Sequence, residues 1–254
     1  MNTTTPYQAN TFLQQDTQSR AVRDRLFAPL YRELAASPEN MCFIDGAARD
    51  PHLSLWLQQK GVDTMLVARH GQMVSIDEKI RHSRYDDILL ETESCTIAGR
   101  EKKGWMYEGT ATLLAYAFYC TQPSMYLDVY FIDFSALKHW FFGSTRDWKM
   151  IAPKYNREVN QTRSYPIPLP LIAQKVGFWH FKVFEESQRV TPVEFCMPSA
   201  RRPSSVLLQD MFSGLGLPRV HPHAIELKKV SHISTARTRP TRKNDPRLQT
   251  GARS

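Results

Sequence analysis

The chain has 254 residues, 42% of them hydrophobic and 11% aromatic, and carries a formal charge of +8. That composition excludes a wholly disordered chain and supports one large folded domain with appendages. No apolar run reaches the ~18 residues a membrane-spanning helix needs, so no membrane partner is expected, whereas the positive charge suits a polyanion.

Residues 1–16, rich in Thr, Gln and Asn, read as a flexible N-terminal arm. From Thr17 the segment SRAVRDRLFAPLYRELAAS repeats apolar residues at three- and four-residue steps, the face of an amphipathic helix, with Pro29 as an objection. A second helix is expected from Pro51, with Asp50 as N-cap and Gly61 as its C-terminal stop. Three strands follow at about Val62–Ala68, Met73–Ile80 and Asp87–Glu93, the first two joined by a tight turn at His70-Gly71. TATLLAYAFYC reads as a helix covering the sheet, and YLDVYFIDF as a strand. SALKHWFFGS reads as a short helix capped by Ser135. Beyond these, a short helix at Leu169–Val176 and a strand at Trp179–Phe184 are expected.

The organisation is therefore a core at 17–145, an extension packed on it at 146–230, and a disordered basic tail at 231–254. In that tail five Arg and one Lys stand against a single Asp. Cys42, Cys95, Cys120 and Cys196 are widely spaced and form no CxxC pair, and MNTTTPYQANTFLQQDTQSR shows no export-signal pattern. We expect reduced thiols in a cytoplasmic protein and no structural zinc.

Chemistry concentrates in Gly61–Glu93. Alternation puts Asp77 and Lys79 on one face of the second strand and Glu78 on the other. A two-residue turn at His70-Gly71 would set Asp63 opposite Glu78. An odd loop centred on Gly71 would set it opposite Lys79, sharing a face with Asp77. We expect the odd loop, because the other register places Asp63 on the Val74/Ile76/Ile80 face, which should be buried. Glu78 is awkward on that face: it sits at a wet sheet edge, or it is itself a metal ligand and the faces are reversed. Two carboxylates can hold Mg²⁺, and a lysine beside them can serve the attacking water. Glu91 joins as a further ligand or water-positioning group if the third strand neighbours the second. The competing reading is an ordinary solvated sheet face with cross-strand ion pairs, on an unrelated α+β interaction protein.

Asp63, thirteen intervening residues and then Asp77-Glu78-Lys79, on a hairpin preceded by helix and followed by strand, helix and strand, resembles the PD-(D/E)xK nuclease superfamily. The resemblance implies a restriction endonuclease-like α/β (α+β) fold, a mixed sheet of about four strands flanked by helices. It implies an Mg²⁺-dependent deoxyribonuclease, Mn²⁺ being the alternative ion, working on DNA and in many members as a homodimer. Asp63 matches the first acid of the motif, Asp77 the second and Lys79 the lysine. Glu33, or more weakly Asp24, matches an acid that assists from the first helix in some members. Val62 stands where the family often has proline. The alternative is a DNA-binding or accessory protein that kept the fold without cleaving.

Arg81 and Arg84 after the lysine strand, and Lys102 and Lys103 after the Glu91 strand, are candidates for gripping DNA phosphates. Trp105 and Tyr107 are candidates for stacking on a base, or else for core anchoring. No H-E-x-x-H, G-x-S-x-G, P-loop or G-x-G-x-x-G occurs.

Overall fold

A computed structural model of the chain describes residues 21–44, 51–69, 71–95, 101–120, 125–156, 162–196 and 219–220. The expected N-terminal arm, basic tail and Asp50 cap lie outside them. The first helix begins as a π-turn at Arg23–Phe27 and continues as α1 (Ala28–Leu34). Pro29 falls in the first turn of α1, where its missing N–H costs little, and the wide turn before it absorbs the break.

Next come β1 (Met41–Phe43), α2 (Pro51–Gln59), β2 (Thr64–Val67) and β3 (Met73–Arg81). Gly61 ends α2 at φ +67°, the left-handed position expected of a helix stop. The chain continues through β4 (Asp87–Cys95), β5 (Glu101–Lys103), α3 (Trp105–Glu108), β6 (Leu113–Cys120) and β7 (Tyr126–Asp133). It then forms α4 (Phe134–Gly143), α5 (Thr145–Trp148), β8 (Lys154–Asn156), β9 (Thr162–Pro168) and α6 (Leu169–Lys175). The last described elements are β10 (Phe178–Phe184), β11 (Val190–Cys196) and β12 (Arg219–Val220).

The fold is α+β with a mixed sheet, as expected, but the sheet is larger than four strands. Its order is β1-β2-β3-β6-β7-β10-β11-β12, and a second sheet runs β5-β4-β9-β8. Strands from the 154–196 stretch therefore complete both sheets: β10 pairs with β7 and β9 with β4. Pro166 and Pro168 fall opposite β4 beyond the reach of β8, where β9 has a free edge and no donor is missed.

The segment read as a covering helix, TATLLAYAFYC, is instead β6, a central strand parallel to β3. Leu113, Ala115 and Ala117 enter the core under α1, while Leu114, Tyr116, Phe118 and Cys120 enter the core on the opposite face. A strand buried on both faces is apolar throughout, so its alternation is invisible in the sequence. The cap of α4 also differs. Asp133 rather than Ser135 takes the N-cap, its Oδ1 accepting the Ala136 N–H at 2.8 Å.

The large sheet thus separates two cores. The π-turn and α1 cover one face with Leu26, Phe27, Leu30, Tyr31 and Leu34 against Val74, Ile76, Val129 and Phe131. On the other face Ile88, Leu90, Ile167, Leu137, Trp140 and Ile172 close over β6 and β7. Among the described residues no helix is long and apolar enough to cross a membrane.

Candidate active site

The β2–β3 ladder pairs Thr64 with Ile76 and Val67 with Met73, so the connecting loop is residues 69–71. The loop has odd length, as expected, but is centred one residue earlier. The next step of the ladder therefore sets Asp63 beside Asp77 rather than Lys79. Gly71 takes φ +84° within this turn, and Ala68 N–H closes it on Gln72 O at 2.8 Å. At the end of the ladder Asp63 N–H donates to Ile76 O at 2.9 Å, and Asp63 Oδ2 accepts the Glu78 N–H at 2.8 Å.

Asp77 is fully buried on the face away from α1. Lys79 Nζ donates to Asp77 Oδ1, while among the described residues the buried Asp77 Oδ2 receives no hydrogen bond, the Asp63 carboxyl being its acidic neighbour. Burial pushes the Asp77 carboxyl up to about 7, with Lys79 opposing and Asp63 adding to the shift. Gly61 makes room for this carboxylate: a Cβ there would lie 3.1 Å from Asp77 Oδ2 and 3.3 Å from Gly109 Cα. Burial alone would pull Lys79 down, but the charges of Asp77, Asp63 and Glu91 outweigh it and leave the ammonium raised. Glu91 acts on Lys79 through its charge from the second sheet. β4 does not neighbour β3 in the large sheet, yet packing of the two sheets leaves this acid near enough for its charge to be felt at the lysine. Burial in turn raises Glu91. The Trp105 ring lies 5.5 Å from Lys79 Nζ and packs on Phe134 at 5.8 Å, so of the two aromatics after the basic run it is the core anchor.

Glu78 points to the α1 side, as the alternation requires. Tyr31 donates its hydroxyl to Glu78 Oε1 at 3.0 Å and Thr64 donates to the same oxygen at 2.6 Å. Burial, then the Asp63 charge, pushes Glu78 up to about 7. The faces are not reversed: Glu78 is half-buried on the α1 side, where two hydroxyl donors meet its Oε1. The remaining candidates are placed less centrally. Glu33 lies on the exposed side of α1 and pairs with Arg69 at 3.7 Å, and Asp24 is exposed on the π-turn. Arg81 pairs with Asp87 at 2.8 Å and sits over the Tyr85 ring at 3.7 Å, and Arg84 pairs with buried Asp128 at 2.7 Å. Lys102 is exposed, 3.4 Å from Glu108, and Lys103 is exposed with its Nζ 5.7 Å from the Tyr107 ring.

Among the described residues, Asp63, Asp77 and Glu91 gather around Lys79, with Lys102 acting on Glu91 from the far side, so acids outnumber cations here. The donors are hard oxygens, and Asp77 Oδ2 is an orphaned acceptor beside a second acid. These residues fit a small divalent cation that keeps most of its ligands as water or phosphate oxygen. Among the described residues no group of three or more His, Cys, Asp or Glu is arranged as a metal cage, so protein ligation would be limited to the two carboxylates.

The sequence did not point to a second buried charge cluster across the same face. There His180 lies between Asp128, at Nε2, and Glu194, 3.4 Å from Nδ1, under the stacked Tyr130 ring. A lone His and a lone Asp within strongly apolar strands were the only signal.

No family model matches the chain, and neither a curated protein nor a solved structure matches it.

Proposed function

We propose that the protein is a metal-dependent nuclease that hydrolyses DNA phosphodiester bonds. One observation carries this reading: a buried Asp77 with an unpartnered oxygen, beside Asp63 and in contact with Lys79, on one face of the β2–β3 hairpin. Asp63 and Asp77 would hold Mg²⁺ or Mn²⁺. Bound there, the ion would lower the pKa of a water and offset charge growing on the phosphate. Asp63 is oriented for this by the Glu78 N–H, which fixes one of its oxygens. Lys79 meets Asp77 as an ammonium meets a carboxylate; in the reaction it is a donor that orients the attacking water and steadies the phosphate. The Glu91 charge, on the other sheet, helps keep the lysine protonated.

DNA is the proposed partner, in keeping with the +8 charge. A cytoplasmic location is in keeping with free thiols at Cys42, Cys120 and Cys196. A homodimer belongs to the same proposal. The non-catalytic DNA-binding alternative draws on the full burial of Asp77, which also suits a permanent structural pair with Lys79.

The test is incubation of plasmid and linear DNA with the protein and Mg²⁺ or Mn²⁺, beside Asp77→Ala and Lys79→Ala. Cleavage by the wild type, reduced roughly 10²–10⁴-fold in the variants, supports the nuclease. Equal behaviour of all three sinks it.

A further inference from the structure

α3 is a single turn between the candidate site and the surface. Its first residue, Trp105, lies against Lys79, and Tyr107, two residues on, is 47% exposed. The Tyr107 ring meets Phe142 of α4 at 4.5 Å between centroids and 34° between planes, and Phe142 is itself 37% exposed. Exposed large aromatics in contact are costly to leave in water, and these two are held in place. Lys138 of α4 donates to Tyr107 O at 3.2 Å and to Gly109 O at 2.8 Å, tying α3 to α4. Two lysines flank the rings: Lys103 Nζ stands 5.7 Å from the Tyr107 ring, and Lys138 lines a cleft together with Phe142 and exposed His139. This open cleft of roughly 700 Å³ is also lined by Thr110 and Ser135. That volume suits a nucleotide-sized group.

We propose that the Tyr107–Phe142 pair is a stacking platform for an unpaired base of single-stranded DNA, next to the site that would cut it. Aromatic faces take any base, and flanking Lys103 and the cleft hydroxyls take the sugar-phosphate. A duplex keeps its bases stacked and cannot present one to the rings, so the platform selects single strands, frayed ends or flaps. Substrate class is thereby narrowed within the nuclease reading, on which this inference rests.

Fluorescence anisotropy with a short labelled oligothymidylate and a blunt duplex, both in EDTA so that nothing is cut, tests it. Tyr107→Ala and Phe142→Ala are each expected to weaken single-strand binding by about tenfold, with Tyr107→Phe close to wild type and duplex binding nearly unchanged. Single-strand affinity equal to wild type in both alanine variants overturns the proposal. So does equal weakening on single strand and duplex, or a Tyr107→Phe as weak as Tyr107→Ala. The two readings fail separately. Platform-dependent binding without cleavage under any divalent cation removes the nuclease and leaves the platform; Asp77-dependent cleavage with binding indifferent to the rings does the reverse.

Discussion

Glu78 donates its backbone N–H to Asp63 Oδ2 at 2.8 Å, so the strand that carries Asp77 also fixes the carboxylate of its neighbour. The two acids are held together although mutual repulsion and desolvation both oppose it, and Lys79 is the charge that compensates. Such an arrangement stores a demand for positive charge in the fold.

That demand gives the first prediction. Mg²⁺ or Mn²⁺ should raise the unfolding midpoint of the wild type, because an ion that binds only the native state stabilises it by about 2.7 kcal/mol at one hundred times its Kd. For a chain of this size that is a rise on the order of 5–10 °C. Asp77→Asn should abolish the rise. Differential scanning calorimetry with and without the ion checks it, and an equal rise in the variant removes Asp77 as a ligand.

A second prediction separates Glu33 from the site. Among the described residues its ion pair is with Arg69 at 3.7 Å, both side chains being 55% exposed. Glu33→Ala should leave any cleavage rate within about twofold and change stability by less than about 1 kcal/mol, as exposed pairs do. A large loss of rate at unchanged stability would return it to the machinery.

Glycine positions supply a third. At Gly104 a Cβ would lie 2.5 Å from Glu91 O and 2.9 Å from Glu91 Cγ, whereas at Gly143, the last residue of α4, it would meet nothing within 4 Å. Gly104→Ala should cost about 1–3 kcal/mol by pushing α3 off β4. Gly143→Ala should be neutral or stabilise by up to about 1 kcal/mol. Denaturant unfolding of the pair measures both, and a Gly104→Ala as stable as wild type contradicts the close approach.

The fourth concerns pH. Burial alone would lower His180, but its hydrogen bond to Asp128 and the Glu194 carboxylate 3.4 Å away outweigh burial and raise it above its ordinary value of 6.5. A histidine raised in the folded state binds its proton more tightly there than when unfolded. Its contribution to stability is therefore complete below about pH 6.5 and is lost as pH rises through the folded value. Facing it are Asp128, Glu194 and the Tyr130 ring, with Arg84 on Asp128. His180→Leu should cost roughly 3–5 kcal/mol by leaving buried Asp128 with Arg84 alone and Glu194 without its imidazole, and should flatten the fall in unfolding midpoint between mildly acidic and alkaline pH. An unchanged slope in the variant would assign the pH dependence elsewhere.

Local chemistry in the sequence determined much of this molecule. The shared face of Asp77 and Lys79 follows from the two-residue period of any strand. Gly61 as a helix stop, the β3 and β7 strands and the short helix before Gly177 follow from backbone preferences and clear patterning. Tertiary structure decided what depends on distant neighbours. β6 became a central strand because both its faces are covered, and only the cover shows that. Asp63 came beside Asp77 because the loop at 69–71 set the register, a matter of one residue that no pattern fixes. Glu78 lost its awkwardness once α1 brought Tyr31 to it, and the Glu91 charge acts on Lys79 only because a second sheet packs on the first. Charges act through space, and sequence records only their order along the chain.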